Sequence, residues 1–456
     1  VTKSTVVQGV AWAVAVVAGA AFAQNPILPS WEYIPDGEPR IFGDRVYLYG
    51  SHDRAHSTKF CDYLLTVWSA PLNDLANWRE EGHSFHTRPC ELGHPSDVDW
   101  STNELYAPDV VEKDGKYWLF AYIVGAPGCV AVSDSPGGPF KLVSKIRAPE
   151  GSPKDFGGWG QYIDPGVLVD DDGKVYIYWG YKRSHMAQLN PANMFEVLPN
   201  TYQPDIIPVD KPFNFFEAAS PRKVGDTYYL IYADGGTLVY ATSKKPTGPF
   251  EYGGRIITNG RDYPGGNNHG SICKINDQWY IFYHRMTNNT IFSRRACVER
   301  ITIAPDGKIK EVEMTSLGFA ESLDPYRRWS ADIACVLKGG NYITEVDRET
   351  HPVILNRNSA TIGFKYFEFG SKPQRMSFSI DVKLRAGAGR IDVWTGVAKT
   401  GTLIGSVEVP ATLSTEDWTS VTCDVRAVEG RHAVYFTFSG DGEFNCDIRS
   451  FAFGRE

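Results

Sequence analysis

Six side chains capable of proton or ion chemistry stand at the head of one recurring phrase. They are Asp36 with Glu38 in "IPDGEP", Asp109 in "YAPDVV", Asp164 in "YIDPGV", Glu217 in "FFEAAS" and His269 in "NNHGS". Taken singly, each is an ordinary turn residue. Gathered at one place, carboxylates of this kind suit glycoside hydrolysis: one acid protonates the leaving oxygen while another carboxylate activates water or attacks. Burial and like-charge proximity raise the pKa of one member, so that it keeps its proton near neutrality. Trp100, Tyr106, Trp159, Tyr162 and Phe216 stand close to the same phrases and could stack on sugar rings, with blade packing as the alternative for each.

What would gather residues spread over more than 230 positions is an internal repeat. A polar turn, a short apolar strand, a Gly/Asp turn and an aromatic strand recur in "DGEPRIFGDRVYLYG", "APDVVEKDGKYWLFAY", "IDPGVLVDDDGKVYIYWG", "EAASPRKVGDTYYLIYADG" and "NHGSICKINDQWYIFYHR". The last three begin at residues 163, 217 and 268, a period of 54 and then 51 residues. Each unit has room for four strands, with hairpins expected at Gly43-Asp44, Asp114-Gly115, Asp172-Gly173, Gly225-Asp226 and Asn276-Asp277. Five such units predict a five-bladed β-propeller, which closes radially and shields its edges; an open sandwich would not need five copies of one phrase. In a propeller the first strand of each blade lines the central channel, so the six side chains would meet at one mouth. The stretch from Arg54 to Asn103 reads as a long insert forming part of the wall, which favours a closed pocket.

The composition agrees. The chain's 456 residues include 44 Gly, 28 Pro and 60 aromatic residues, a mixture suited to short strands and tight turns. A formal charge of −8 without a basic run argues against nucleic acid. Lys3, an apolar stretch from Val6 to Phe22 and the Ala21-Phe22-Ala23 ending predict a secretory signal peptide over residues 1–23, an uncleaved anchor being the alternative. No second apolar run is long enough to span a bilayer, so a soluble, secreted or periplasmic protein is expected. The eight cysteines select no disulfide pairing, and without a CxxC pair a structural zinc site is not expected.

The ordered motifs "NPILPSW", "IPDGEP", "YAPDVV", "YIDPGVLVDDDGKVYIYWG", "FFEAASPRKVGDTYYLIYA" and "GGNNHGSI" resemble glycoside hydrolase family 43 over residues 25 to 315. The resemblance implies a five-bladed propeller of inverting enzymes acting on arabinose- and xylose-containing polysaccharides. It implies Asp36 as general base, Glu217 as general acid and Asp164 as the residue that tunes the acid. Because "IPDGEP" departs from the family's tighter "ADP", Glu38 stays a rival for the base. Arg294 matches a substrate-contacting arginine, with Arg295 as the neighbour open to confusion. His269 matches a channel histidine that can hold a calcium ion through water; no other cofactor is implied. The "DDDG" at 170–173 reads as a solvated turn rather than a calcium loop.

From Trp329 the propeller phrase gives way to alternating strands over the remaining residues, which predicts a β-sandwich of jelly-roll type. The propeller is thus assigned to 24–318, a linker to 319–328 and the sandwich to 329–456. "GFKYFEFG", "GRIDVWTG", "GTLIGSVEVP" and "GRHAVYFTFSGDGEFNCDIRSFAF" resemble carbohydrate-binding module family 6. By that resemblance Phe364 stacks on a sugar and Asn445 hydrogen-bonds it; a module that merely packs on the propeller is the alternative. Together the resemblances imply an exo-acting α-L-arabinofuranosidase or β-xylosidase on plant cell-wall arabinoxylan, arabinan or xylan. An endo-arabinanase, a galactan-cleaving enzyme and a non-catalytic sugar-binding propeller are the competing readings.

Overall fold

The structure, a computed structural model, describes residues 23–90, 93–150 and 162–456. The expected signal segment as far as Phe22, and Trp159, lie outside the described residues.

Four-stranded antiparallel units follow one another along the chain. The first comprises β1–β4 (Glu38–Phe42, Arg45–Tyr49, Leu64–Pro71, Arg79–His86) and the second β5–β8 (Leu105–Lys113, Lys116–Ile123, Cys129–Ser133, Lys141–Lys145). The third comprises β9–β12 (Gly166–Val169, Val175–Trp179, His185–Leu189, Gln203–Pro204) and the fourth β13–β16 (Glu217–Val224, Thr227–Ala233, Thr237–Ser243, Glu251–Thr258). The fifth has three strands, β17–β19 (Ile272–Ile275, Gln278–Thr287, Thr290–Ile301). The five-bladed propeller follows, and the expected turns link the first two strands of every blade. At Asp114-Gly115 both residues take positive φ (55° and 73°), the twist a two-residue hairpin requires.

The fifth blade is completed by the start of the propeller chain. The Ile27 N–H donates to Ala296 O at 3.0 Å, while the Asn25 amide exchanges two 2.8 Å bonds with the backbone of Val298 in β19. The apolar residues between neighbouring blades form separate clusters, one per seam, because alternate residues of each strand face opposite blades.

Residues 54–103 are not one insert. They contain β3 and β4, framed by two loops, because the apolar run after Tyr63 pairs back onto β2. Among the described residues, Phe60 and Cys61 of the first loop line the channel mouth directly, and Asn103 at the end of the second bonds the Val124 carbonyl in its wall.

The second region is built from β20–β28 (Trp329–Ser330, Val336–Lys338, Tyr342–Ile343, Val353–Arg357, Thr361–Glu368, Met376–Thr395, Thr402–Val409, Thr419–Val425, Arg431–Arg455). The long strands β25 and β28 pair along their whole length and fold over together near residues 385–388 and 440–445. Gly389 permits the fold: a Cβ there would lie 2.4 Å from the Phe444 ring. The two halves face each other as sandwich layers, and Phe364 and Phe436 of one meet Phe451 of the other at 4.5 and 5.1 Å.

Residues 319–328 are a packed strap rather than a free linker. Phe319 is buried against Tyr280 and Phe282, and Leu323 bridges to Phe367. One apolar cluster runs from the fourth and fifth blades into the sandwich without a break. Arg295 is buried at this seam, its Nη1 3.0 Å from Asp332 Oδ2.

Candidate active site

The hairpin register sorts the acidic residues into two levels. Glu38, Asp109, Ser220 and Ser271 each stand five residues ahead of their hairpin turn. Asp36, Ala107, Ala218 and His269 stand two residues earlier, and Asp164 holds the matching place before Gly166. Two residues along a strand keep the same face and shift the side chain by about 6.6 Å. The first group therefore forms a waist in the channel and the second its mouth. Asp36 and Asp164 turn into the channel from left-handed backbone (φ 59° and 51°), a conformation aspartate tolerates better than most residues. Glu217 reaches the mouth by a different device, a register shift between Glu217 and Ser220.

At the waist, charge is matched. Arg40 grips Asp109 through contacts of 2.6–3.0 Å, and Arg222 Nη2 lies 2.6 Å from Glu38 Oε2, which also accepts from Ser220 at 3.0 Å. Glu38 is therefore committed to the contact between blades, which leaves Asp36 as the carboxylate facing the cavity.

At the mouth, compensation is unequal. Asp36 is buried, with Arg294 Nη1 2.9 Å from Oδ1 and the Ser51 hydroxyl donating to Oδ2 at 2.7 Å. Burial would push its pKa up, but the Arg294 charge and the Ser51 hydroxyl hold it below the usual carboxylate range. His284 is pushed down to about 3 by burial and by Arg294, so its ring is neutral. Its Nε2–H donates to Asn267 O at 3.0 Å, and its Nδ1 accepts the Asp36 N–H at 3.2 Å. Glu217 is driven the other way, to about 7, by burial and the Asp36 charge. Asp164 is also raised, well above the ordinary range, by burial, Glu217 and Asp36. One site thus holds an ionised carboxylate beside a carboxyl pair that retains a proton near neutrality. Divergent pKa values of this kind separate base from acid.

Arg294 is fixed from behind. Asp53 is buried and takes both Nε (2.8 Å) and Nη2 (3.0 Å) of the guanidinium, leaving Nη1 for Asp36. Strand alternation sends Arg295 to the opposite face and into the sandwich seam, which resolves the choice between the two arginines.

These groups line a cavity of about 200 Å³ with Phe60, Tyr106, Tyr122, Tyr181 and Asn267. A cavity of about 340 Å³ at the other end of the channel is lined by Arg40, Arg222, Lys223 and Lys274 and has no comparable acid pair. The aromatic expectations divide. Tyr106 is in the wall. Phe216 stands one ring behind it, edge-on to Tyr181 at 5.2 Å. Trp100 lies away from the cavity, with Lys145 4.6 Å above its ring and the second blade beneath. Phe364 is fully buried between the sandwich layers and cannot stack on a sugar. Asn445 is half-buried, paired with Arg357 and Ala386, and its side-chain oxygen has no partner.

Around His269 the protein alone does not supply the six to eight oxygens of a calcium cage, so an ion held there would take most of its ligands from water. The nearest carboxylate oxygens lie 3.8 Å (Asp36) and 4.0 Å (Glu38) from its ring, and both groups already serve arginines. The "DDDG" turn is likewise engaged: Asp170 accepts from Lys223 and Tyr228.

Ser51, Asp53, Asn267, His284, Phe60, Tyr122 and Tyr181 were not singled out from the sequence. An available signal was geometric: in an antiparallel hairpin the end of the second strand lies beside the start of the first. Residues just after β2, β6 and β10 should therefore share the mouth with the acids.

A propeller with an ionised carboxylate, a proton-holding carboxyl pair and aromatic walls at one mouth has the architecture of a glycosidase. The model for glycosyl hydrolases family 43 matches residues 23–309, and that for carbohydrate binding module (family 6) matches 338–455. A "Xylosidase/arabinosidase" of Thermoclostridium stercorarium is 38% identical over 94% of this chain and 98% of its own length. An "Arabinoxylan arabinofuranohydrolase" of Paenibacillus polymyxa is 27% identical over 89% and 70%. Among solved structures, a Bacillus subtilis arabinoxylan arabinofuranohydrolase shares the fold over 96% of this chain and 98% of that one, with a TM-score of 0.55 at 24% identity. The chain belongs to glycosyl hydrolases family 43 and is a glycoside hydrolase with a C-terminal family 6 module.

Proposed function

We propose that the enzyme releases single arabinofuranosyl or xylosyl units from hemicellulose with inversion at the anomeric carbon. The observation that carries this is the opposed protonation of Asp36 and Glu217 across one small cavity. About 200 Å³ is below the roughly 300–1,000 Å³ of pockets for drug-sized ligands, so the cavity suits one sugar unit rather than a length of chain. The names of the relatives, xylosidase/arabinosidase and arabinoxylan arabinofuranohydrolase, support the sugar class.

In the reaction Asp36 takes a proton from water as the water oxygen bonds to the anomeric carbon. Glu217 gives its proton to the glycosidic oxygen as the old C–O bond breaks. Arg294 keeps Asp36 ionised and oriented, and Asp164 disfavours early loss of the acid's proton. We also propose export, on the strength of the apolar stretch before Ala23, and polymer binding by the C-terminal module, on the strength of its family match.

The test follows anomers by NMR during hydrolysis of nitrophenyl α-L-arabinofuranoside and β-D-xyloside, with chromatography of arabinoxylan digests. The expected outcome is first-formed sugar of inverted configuration and monosaccharide as the only early product. Retained configuration, or early oligosaccharides, would overturn the reading.

A further inference from the structure

A second group of chemically competent side chains lies in the first blade, outside the cavity. The fourth strand, β4, carries His83 and His86, and Cys90 follows in the next loop, the spacing H-x2-H-x3-C. Three residues apart on a regular strand, the two rings would face opposite sides. The register prevents this: His83 pairs with Thr66 and Phe85 with Leu65, so Ser84 is an extra, bulged residue. The bulge brings both imidazoles to one face. One ligand atom from each of His83, His86 and Cys90 lies within 4.8 Å of the others.

The buried ring is already oriented. His86 is 5% exposed, and Asp97 Oδ2 lies 3.0 Å from its Nδ1 and 2.8 Å from its backbone nitrogen. A carboxylate only accepts, so Nδ1 carries the hydrogen and Nε2 holds the lone pair. His86 Nε2 is buried without a partner, as is Nδ1 of His83. Unmatched buried polar atoms are costly, and a carboxylate behind an imidazole is the usual support of a metal-bound histidine.

We propose that His83, His86 and Cys90 bind a zinc-type divalent transition metal. Two imidazole nitrogens and a thiolate favour such an ion over calcium or magnesium, which take oxygen ligands. Tetrahedral zinc holds such ligands about 3.4–3.6 Å apart, so the three groups need close by about 1.4 Å at most. Asp97 acts behind His86 as the positioning carboxylate. The ion ties the loop after β4 to its own blade. That loop reaches the cavity wall: Thr87 bonds Tyr63 O and Asn103 O, and Asn103 bonds the carbonyl of Val124, a wall residue.

The test uses tag-free full-length protein, reduced and stripped by chelator, then titrated separately with Zn²⁺ and Co²⁺. We expect one ion per chain and a cobalt complex with tetrahedral bands and a thiolate charge-transfer band. Cys90→Ser removes the charge-transfer band, His86→Gln removes stoichiometric binding, and Asp97→Asn weakens affinity about 10- to 100-fold. Zinc raises the thermal midpoint of the parent but not of His86→Gln. Cys90 is half-exposed, so Cys90→Ser still reports if His86→Gln fails to fold. Substoichiometric binding by the parent, a cobalt spectrum without the thiolate band, or the same spectrum in Cys90→Ser would overturn the proposal.

Discussion

The waist and the mouth of the channel are built from the same repeat, about two residues apart, with the same kinds of side chain. At the waist Asp109 and Glu38 each meet an arginine at 2.6 Å. At the mouth Arg294 bonds Asp36 and Asp53 and reaches Asp164 and Glu217 only through space. The first arrangement satisfies its charges and holds blades together. The second leaves one carboxylate ionised and a pair short of compensation, which makes proton transfer available. What separates a structural acid from a working one here is the local count of counter-charges, not residue type or place in the repeat.

The sharpest way to break this comparison is at the base. Asp36→Asn should lose about 10²- to 10⁴-fold in kcat on every substrate, while the fold survives because Asn accepts the same backbone conformation. A dead Glu38→Gln beside an active Asp36→Asn would reverse the assignment of mouth and waist.

Glu217→Gln should lose nearly as much on arabinoxylan but far less on nitrophenyl glycosides, whose leaving group needs little protonation. Parallel kinetics on both substrates check this, and equal losses would remove Glu217 from the acid role. At the waist the effect moves from rate to stability. Asp109→Ala strands Arg40 in the channel and should cost about 3–5 kcal/mol in urea unfolding, with kcat of the folded fraction unchanged. A rate loss without destabilisation would mean the waist takes part in chemistry.

The subtlest effect is in the pH profile. Activity needs Asp36 ionised, so it falls as pH drops through that group's lowered pKa. It also needs the proton on Glu217, so it falls as pH rises through about 7. The upper value belongs to the coupled Asp164–Glu217 pair. Asp164→Asn removes like-charge repulsion and should move the alkaline limb of kcat/KM downward; a limb that stays or rises would deny the coupling.

The propeller was legible because its period, turns and aromatic strands repeat, and the acids head the repeats. The two levels were not, because strand register decides which residue of "DGE" reaches the cavity, and register follows from pairing. Asp53 escaped notice although it follows the first repeat's second strand at "YGSHD": its part in the site runs through Arg294, 241 residues later. Phe364 misled because the same aromatic in a strand can face water or a second layer, and only the folding-over of β25 and β28 decides. His83 and His86 were hidden by their spacing, which a bulge overrules.

The closure of the ring sets when this enzyme can become active. Asn25 is bonded to Glu299, 274 residues away, and the whole length between must be in place before that contact forms. Such long-range pairing makes for slow folding with exposed edges along the way. The mouth is therefore assembled late: Arg294, in the final propeller strand, is the residue that keeps Asp36 charged. A nascent chain that has completed four blades holds all three mouth carboxyl groups and still lacks the cation that sets one apart. Hydrolytic competence should appear with the last blade, as a single step rather than by degrees.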